Sequence, residues 1–375
     1  MHSLLKDFIA GIKEFAPSRF PYRRFGVALA IGLGGALIFV YLNAPLPWML
    51  GAMTASTIAA LAGARITAPS VVRMPMILIV GVMVGATFSP EIIQRFPEWW
   101  PTVLILLLLS VVLGGICTAY LHAFSGFSLP TAYFSAMPGG LVEMITLAEE
   151  RKGDIRTVAL AHSVRILVIV FCVPVAVRLI EGVDAGTSNA LRFSVVDMGM
   201  ADLAWIFGTG IAGVVLGRLL RMPAAYLLGP LTASVLVHAT GISEFKLPIE
   251  FLNLAQLIIG TSVGCRFAGV ASSTVFRIMR IAFGMSVIFL SITALFAWGA
   301  SQVSDYGFVP LLLAYAPGGL PEMSLVAIAL HIEVAFVAFH HIVRLFMVMG
   351  GAPLAYVLIG RVAKAMQNRP PAGGG

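Results

Sequence analysis

Two glutamates, two histidines and two arginines recur at one spacing inside otherwise apolar sequence. Glu143 stands three residues beyond Pro138-Gly139-Gly140, and Glu322 three beyond Pro317-Gly318-Gly319. His162 and Arg165 are three apart, as are His341 and Arg344, which puts each pair on one helix face. Proline lacks the backbone donor and clashes with the preceding turn, and paired glycines add freedom, so each trio must interrupt a helix. At membrane depth an interruption is tolerated only where it is buried in protein or lines a polar cavity. The restarted helix offers unpaired N–H groups and a partial positive charge, able to hold an anion or a carboxylate. Pro321 suits that first turn, where proline costs least.

These residues define a candidate substrate- or ion-binding site: Pro138, Gly139, Gly140, Glu143, His162 and Arg165, with Pro317, Gly318, Gly319, Glu322, His341 and Arg344. Two roles stay open for the glutamates. They can couple a process to protons or cations, or they can cap their own helices and pair with Arg165 and Arg344. The arginines have the same two options, because a guanidinium fork binds an anionic solute such as a carboxylate as readily as an internal partner.

A metal site is a weaker reading. His331 and Glu333 are two apart and do not face each other on a helix, and His340 and His341 diverge by about 100°. A first shell would need a third ligand from elsewhere, such as Cys265 or Glu322. Interior histidines satisfied by hydrogen bonds are the simpler expectation, with no metal, no cofactor and no enzymatic activity.

The elements that must position these groups are membrane helices. Of 375 residues, 59% are hydrophobic and 11% charged, against about a quarter charged in soluble domains. A formal charge of +7 could suggest nucleic acid, but the basic residues lie in short clusters between apolar runs, as in a membrane protein's cytoplasmic loops. Cys117, Cys172 and Cys265 all fall in apolar segments, so no disulfide framework is expected. The first long apolar run reads as a retained span rather than a cleaved leader.

In order, residues 1–24 carry an amphipathic segment with Leu4, Leu5, Phe8, Ile9, Ile12 and Phe15 at helical spacing. Spans are expected at about 25–42, 48–61, 75–88, 103–123 and 157–179, with Trp99 and Trp100 as interface anchors. Residues 181–202 are a more polar seam. Further spans follow at about 203–219, 224–240, 251–265, 281–299 and 334–350, then a disordered tail from 366. Leu50–Ser56 matches Leu228–Ser234 at an offset of 178, Gly81 and Gly85 match Gly260 and Gly264 at 179, and the Pro-Gly-Gly and His-x-x-Arg segments also match at 179. The expected fold is therefore all-α and polytopic: about ten transmembrane helices and two broken elements, in two repeats at 25–180 and 203–365. If the broken elements dip in and return, most basic residues fall on the side of both termini, as the positive-inside rule requires of cytoplasmic loops. The halves are then inverted, a common plan for secondary transporters. The run from Leu320 to Met349 contains neither Gly nor Pro before Gly350 except Pro321, which suggests one long tilted helix in place of a second hairpin.

The doubled Pro-Gly-Gly segments, the paired Leu-Gly-x-x-Thr-Ala-Ser-like segments and the overall length resemble the Gram-negative AbrB family of membrane proteins, over about residues 25–365. Its members carry labels such as transcriptional regulator and ammonia monooxygenase. The resemblance implies a duplicated inner-membrane protein tied to gene regulation or to transport, and assigns no substrate. Neither label finds direct support in the residues: there is no helix-turn-helix, zinc or basic-region signal, and no compact redox-metal cluster. The expectation is an inner-membrane secondary transporter or permease of a small solute, with an anion suited to the arginines. The alternative is a membrane-embedded regulator or sensor that affects gene expression through partners. Expected partners are the lipid bilayer and a small solute or ion, without direct nucleic acid binding; a homo-oligomer is compatible with the sequence.

Overall fold

The computed structural model describes residues 16, 20–182, 193–269 and 272–367. The amphipathic segment, much of the seam and the end of the tail lie outside the described residues. Those described are helical, with no β-strand among them. The chain runs α1 (Tyr22–Tyr41), α2 (Pro47–Leu61), α3 (Ser70–Gly85), α4 (Pro90–Gln94), α5 (Trp100–Ser125), α6 (Leu129–Ala136), α7 (Leu141–Glu150) and α8 (Ile155–Glu181). It continues α9 (Met200–Leu219), α10 (Ala225–Ala239), α11 (Ile249–Cys265), α12 (Ser272–Ser301), α13 (Phe308–Tyr315), α14 (Leu320–Leu330) and α15 (Val334–Gln367).

Among the described residues, six helices are long and apolar enough to cross a membrane: Tyr22–Tyr41, Phe96–Ser125, Ile155–Ile180, Met200–Leu219, Phe276–Ser301 and Val334–Leu358. Their outward faces carry exposed Leu37, Leu104, Leu108, Val111 and Ile211. Apolar faces of that extent are stable against lipid rather than water. The protein is thus an all-α, multi-pass membrane protein. The 15- to 17-residue helices α2 and α11, with α3 and α10, are shorter than a bilayer core and pack on one another.

Helices sort into two packing groups, each drawn from both ends of the chain. In one, α2 lies against α1 and α11, and α10 against α9 and α3. Glycine permits the close approaches: a Cβ at Gly81 would stand 2.5 Å from the Leu227 carbonyl oxygen, and one at Gly260 would stand 2.5 Å from that of Met49. Such small-residue contacts let backbones meet where apolar burial alone gives little drive. The other group holds α5 to α8 with α12, α13 and α15. Helix α14 bridges the two, touching α15 and α8 on one side and α3 and α11 on the other.

Two expectations are corrected. A hairpin replaces the long tilted helix after the second Pro-Gly-Gly. His331 takes a left-handed conformation (φ 54°) and ends α14 without a glycine. The Ile332 N–H reaches the Ala327 carbonyl at 3.0 Å and the His331 N–H that of Ile328 at 3.2 Å, which closes the helix end with a Schellman pair. Trp99 is not an interface anchor. It is buried beside Phe336 and Phe339, its indole N–H donating to the Tyr306 hydroxyl at 2.6 Å, whereas Trp100 is exposed.

Candidate functional site

Both Pro-Gly-Gly trios break a helix into two. Helix α6 stops at Ala136 and α7 begins at Leu141; α13 stops at Tyr315 and α14 begins at Leu320. A helix end strands carbonyls that need donors. Arg165, from the middle of α8, supplies them at the first break. Its Nη1 donates to the Met137 carbonyl at 2.8 Å and its Nη2 to that of Gly139 at 3.3 Å. Arg344, from α15, does the same at the second, reaching Tyr315 at 3.2 Å, Ala316 at 2.8 Å and Gly318 at 3.3 Å. A buried cation at a helix C-terminus is favoured by the partial negative charge there, so neither arginine requires a carboxylate to be tolerated. Arg165 also lies over the Phe289 ring, 5.4 Å from its centroid.

The histidines hold these clamps in place. His162 Nε2 meets the Phe134 carbonyl at 2.9 Å, and His341 Nε2 that of Leu313 at 3.0 Å. A carbonyl can only accept, so Nε2 carries the proton and Nδ1 is left as the acceptor. Arg165 Nη2 donates to His162 Nδ1 at 2.9 Å, and Arg344 Nη2 to His341 Nδ1 at 2.8 Å. Each His-x-x-Arg pair is therefore one hydrogen-bonded unit, and both histidines are fully buried.

The two breaks meet. Pro138, Gly139, Gly140, Arg165, Gly318, Gly319, His341 and Arg344 line a single cavity of about 60 Å³, together with Leu141, Ile166, Leu320 and Leu345. The volume suits a water-sized or small ionic guest. Its wall holds two guanidiniums, two helix starts and no carboxylate. A wider cavity of about 840 Å³ lies elsewhere, at the ends of α3, α10 and α14, and is lined in part by Glu91, Asp197, Glu244 and Lys246.

The glutamates lie outside the small cavity. Each folds back over its last glycine: a Cβ at Gly140 would stand 2.1 Å from Glu143 Oε2, and one at Gly319 would stand 1.9 Å from Glu322 Oε2. Neither makes a capping hydrogen bond. The internal pairs considered from the sequence, Glu143–Arg165 and Glu322–Arg344, do not form, because the arginines are committed to carbonyls. Glu322 is buried and pairs instead with Arg73, Oε1 to Nη2 at 3.4 Å. Glu143 is half-buried and has no ion-pair partner among the described residues. Arg73 belongs beside the site, although in the sequence it is one more basic residue near the end of a span, as topology alone leads one to expect. The available signal was its lack of a counterpart, since the residue 179 positions later is Leu252.

His340 is held by Thr102 Oγ1 at 2.9 Å and by the Phe336 carbonyl at 2.8 Å. Among the described residues no three His, Cys, Asp or Glu side chains converge as a metal site would require.

A family model described as transition state regulatory protein AbrB matches residues 48–360. A protein of Escherichia coli K12 described as "Putative regulator AbrB" is 26% identical over 339 residues, covering 89% of this chain and 95% of the relative. An uncharacterized protein of Bacillus subtilis, YhjN, is 25% identical over 295 residues, covering 75% of this chain and 77% of its own. These findings correct the resemblance drawn from the motifs. The relatives are not confined to Gram-negative organisms, since one comes from Bacillus. The matched description names a regulator and no oxygenase. A β-rich DNA-binding fold, which a regulator of that name suggests, is also not what this chain has: the described residues are α-helical with no strand.

Proposed function

The chain belongs to the family described as transition state regulatory protein AbrB, and from that premise we propose that it is a membrane-embedded regulator that affects gene expression through partners, set by a small anionic solute. The observation that carries the solute is the cavity of about 60 Å³ where both breaks meet, walled by Arg165 and Arg344. Two restarted helices and two guanidiniums make that space electropositive, and a desolvated anion there gains strongly from fixed donors. The regulatory part rests on the name of the Escherichia coli relative. It acts through partners because no nucleic-acid-binding module is legible in the sequence.

This proposal includes a topology of ten spans and two re-entrant hairpins, with two inverted repeats at about 25–180 and 203–365 and both termini cytoplasmic. It draws on the matched contacts at an offset of 179: Gly81 on α10 and Gly260 on α2, Arg165 on one break and Arg344 on the other. The location is the bacterial inner membrane.

A second reading is favoured by the same pair of breaks: transport of the solute by alternating access, since broken helices meeting at a repeat interface are a common transporter device. Two measurements separate the readings. In cells lacking the gene, the regulator predicts changed transcripts that wild type restores and an Arg344→Gln variant does not. Purified full-length protein in vesicles should then show no flux of radiolabelled chloride, acetate or phosphate above empty vesicles. Flux that Arg344→Gln abolishes, with transcripts unaffected by gene loss, would overturn the regulator in favour of the transporter.

A further inference from the structure

Helices α1 and α9 each carry two sets of small residues, and only one set is used inside the chain. The inward set brings backbones together: a Cβ at Gly35 would run into the Gly51 backbone, and one at Gly213 into that of Pro230. The outward set is Gly26, Ala30 and Gly34 on α1, and Ala204, Gly208 and Ala212 on α9. All six are exposed, about one turn apart along each helix, and they match at an offset of 178. A Cβ at Gly26, Gly34 or Gly208 would meet nothing within 4 Å among the described residues. Glycine inside a helix weakens it, and no close approach within the chain calls for glycine at these three positions.

On α9 the outward set lines a groove of about 560 Å³, whose other wall is Ala233 and Val237 of α10. Thr209 lines the same groove. It is buried, and its hydroxyl has no hydrogen-bond partner among the described residues. Within a helix such a hydroxyl can turn back to the carbonyl one turn earlier. Thr232 does so to Leu228 at 2.7 Å, and Thr240 to Leu236 at 2.6 Å. Thr209 thus keeps a donor that its own helix leaves unused. A lipid tail offers no acceptor and gains nothing from a run of small residues. A second helix answers both needs, because its backbone can come close along the small face and bring acceptors with it.

A second copy of this chain carries such a helix. Helix α1 packs on α2 and α11, α9 packs on α10 and α3, and the two do not pack on each other. Their outward faces share one spacing and are unpartnered within the chain, so α1 of one copy can seat on α9 of another. Repeated about a two-fold axis, that contact forms twice and leaves no face over.

We propose that Gly26, Ala30 and Gly34 of α1 and Ala204, Gly208 and Ala212 of α9 form the interface of a homodimer, with α1 of each copy seated on α9 of the other. The interface depends on neither reading of function, because none of its residues lines the cavity at the breaks.

The test uses the full-length protein. Light scattering of the purified protein in mild detergent should give the mass of two chains. Gly208→Leu has room within the chain and should weaken dimerisation about tenfold or more. Should that variant fail to fold, Gly34→Leu reads the same contact from α1 and should act in the same direction. Gly115→Leu, at an equally open glycine of α5, should leave the dimer intact. In native membranes, with the native cysteines replaced, differently tagged copies carrying Ala30→Cys and Gly208→Cys should join in a mixed disulfide on mild oxidation. A monomeric wild type, an undiminished dimer in a folded Gly208→Leu or Gly34→Leu variant, an equal loss in Gly115→Leu, or absence of the mixed disulfide overturns the proposal.

Discussion

The two broken helices share one clamp and differ in everything around it. At the first, α7 packs on α6 and α8 and buries only Met144 and Ala148. At the second, α14 buries nearly its whole length, from Glu322 to Leu330, and reaches across to α3 and α11. The carboxylates follow that difference: Glu143 is half-buried with no ion-pair partner among the described residues, while Glu322 is sealed in and tied to Arg73. What is common to both copies is the capping of stranded carbonyls by a buried arginine set by a histidine. What is particular to the second is its role as a bridge between the two packing groups.

The clamp is the place to break the comparison first. Arg344→Leu strands the carbonyls of Tyr315, Ala316 and Gly318, and Arg165→Leu those of Met137 and Gly139. Each change should cost about 3–5 kcal/mol of stability, measured by denaturant unfolding in detergent. A near-neutral effect in either copy would show that the clamp is not what holds that break.

The carboxylates sharpen the comparison. Glu322→Gln weakens the hold on Arg73 and should cost about 1–2 kcal/mol, less than a fully buried pair because Arg73 is partly exposed. Glu143→Gln should stay within about 0.5 kcal/mol. Equal effects would mean that the second break is no more anchored than the first.

A smaller effect, and an equal one, is expected at the tyrosines that tie each hairpin to its surroundings. The Tyr133 hydroxyl donates to the Ala352 carbonyl at 2.8 Å and that of Tyr315 to Thr102 at 2.7 Å. Tyr133→Phe and Tyr315→Phe should each cost about 1 kcal/mol, read from the same unfolding curves. A loss in only one would mark the other tie as incidental.

Much of this was legible in the chain. The expected spans at 48–61 and 251–265 fall within α2 and α11 to within two residues, because apolar runs, prolines and glycines punctuate them clearly. The recurrence at 179 positions singled out Pro138, Gly139, Gly140, Arg165, Gly318, Gly319, His341 and Arg344, which line the cavity, together with Glu143, His162, Pro317 and Glu322, which do not. Partner choice was not legible: Arg165 could answer a carboxylate or a carbonyl, and only the helix end in space decides. The turn at His331 was hidden because a left-handed cap without Gly or Asn leaves no compositional trace. Trp99 looked like a surface anchor because its neighbours in sequence are charged, although its neighbours in space are Phe336, Phe339 and Tyr306. Arg73 was hidden by its company, since basic residues at span ends are expected on topological grounds alone.

The claim that the rest depends on is that both breaks face one shared cavity. Leu141 and Leu320 both line it, so Leu141→Cys and Leu320→Cys, with the three native cysteines replaced, bring two thiols to one small space. A short dithiol-reactive crosslinker applied to native membranes should join them, linking the two halves of a chain cleaved in the connecting segment. Efficient labelling of both thiols by a monofunctional reagent, with no crosslink formed, would contradict the account.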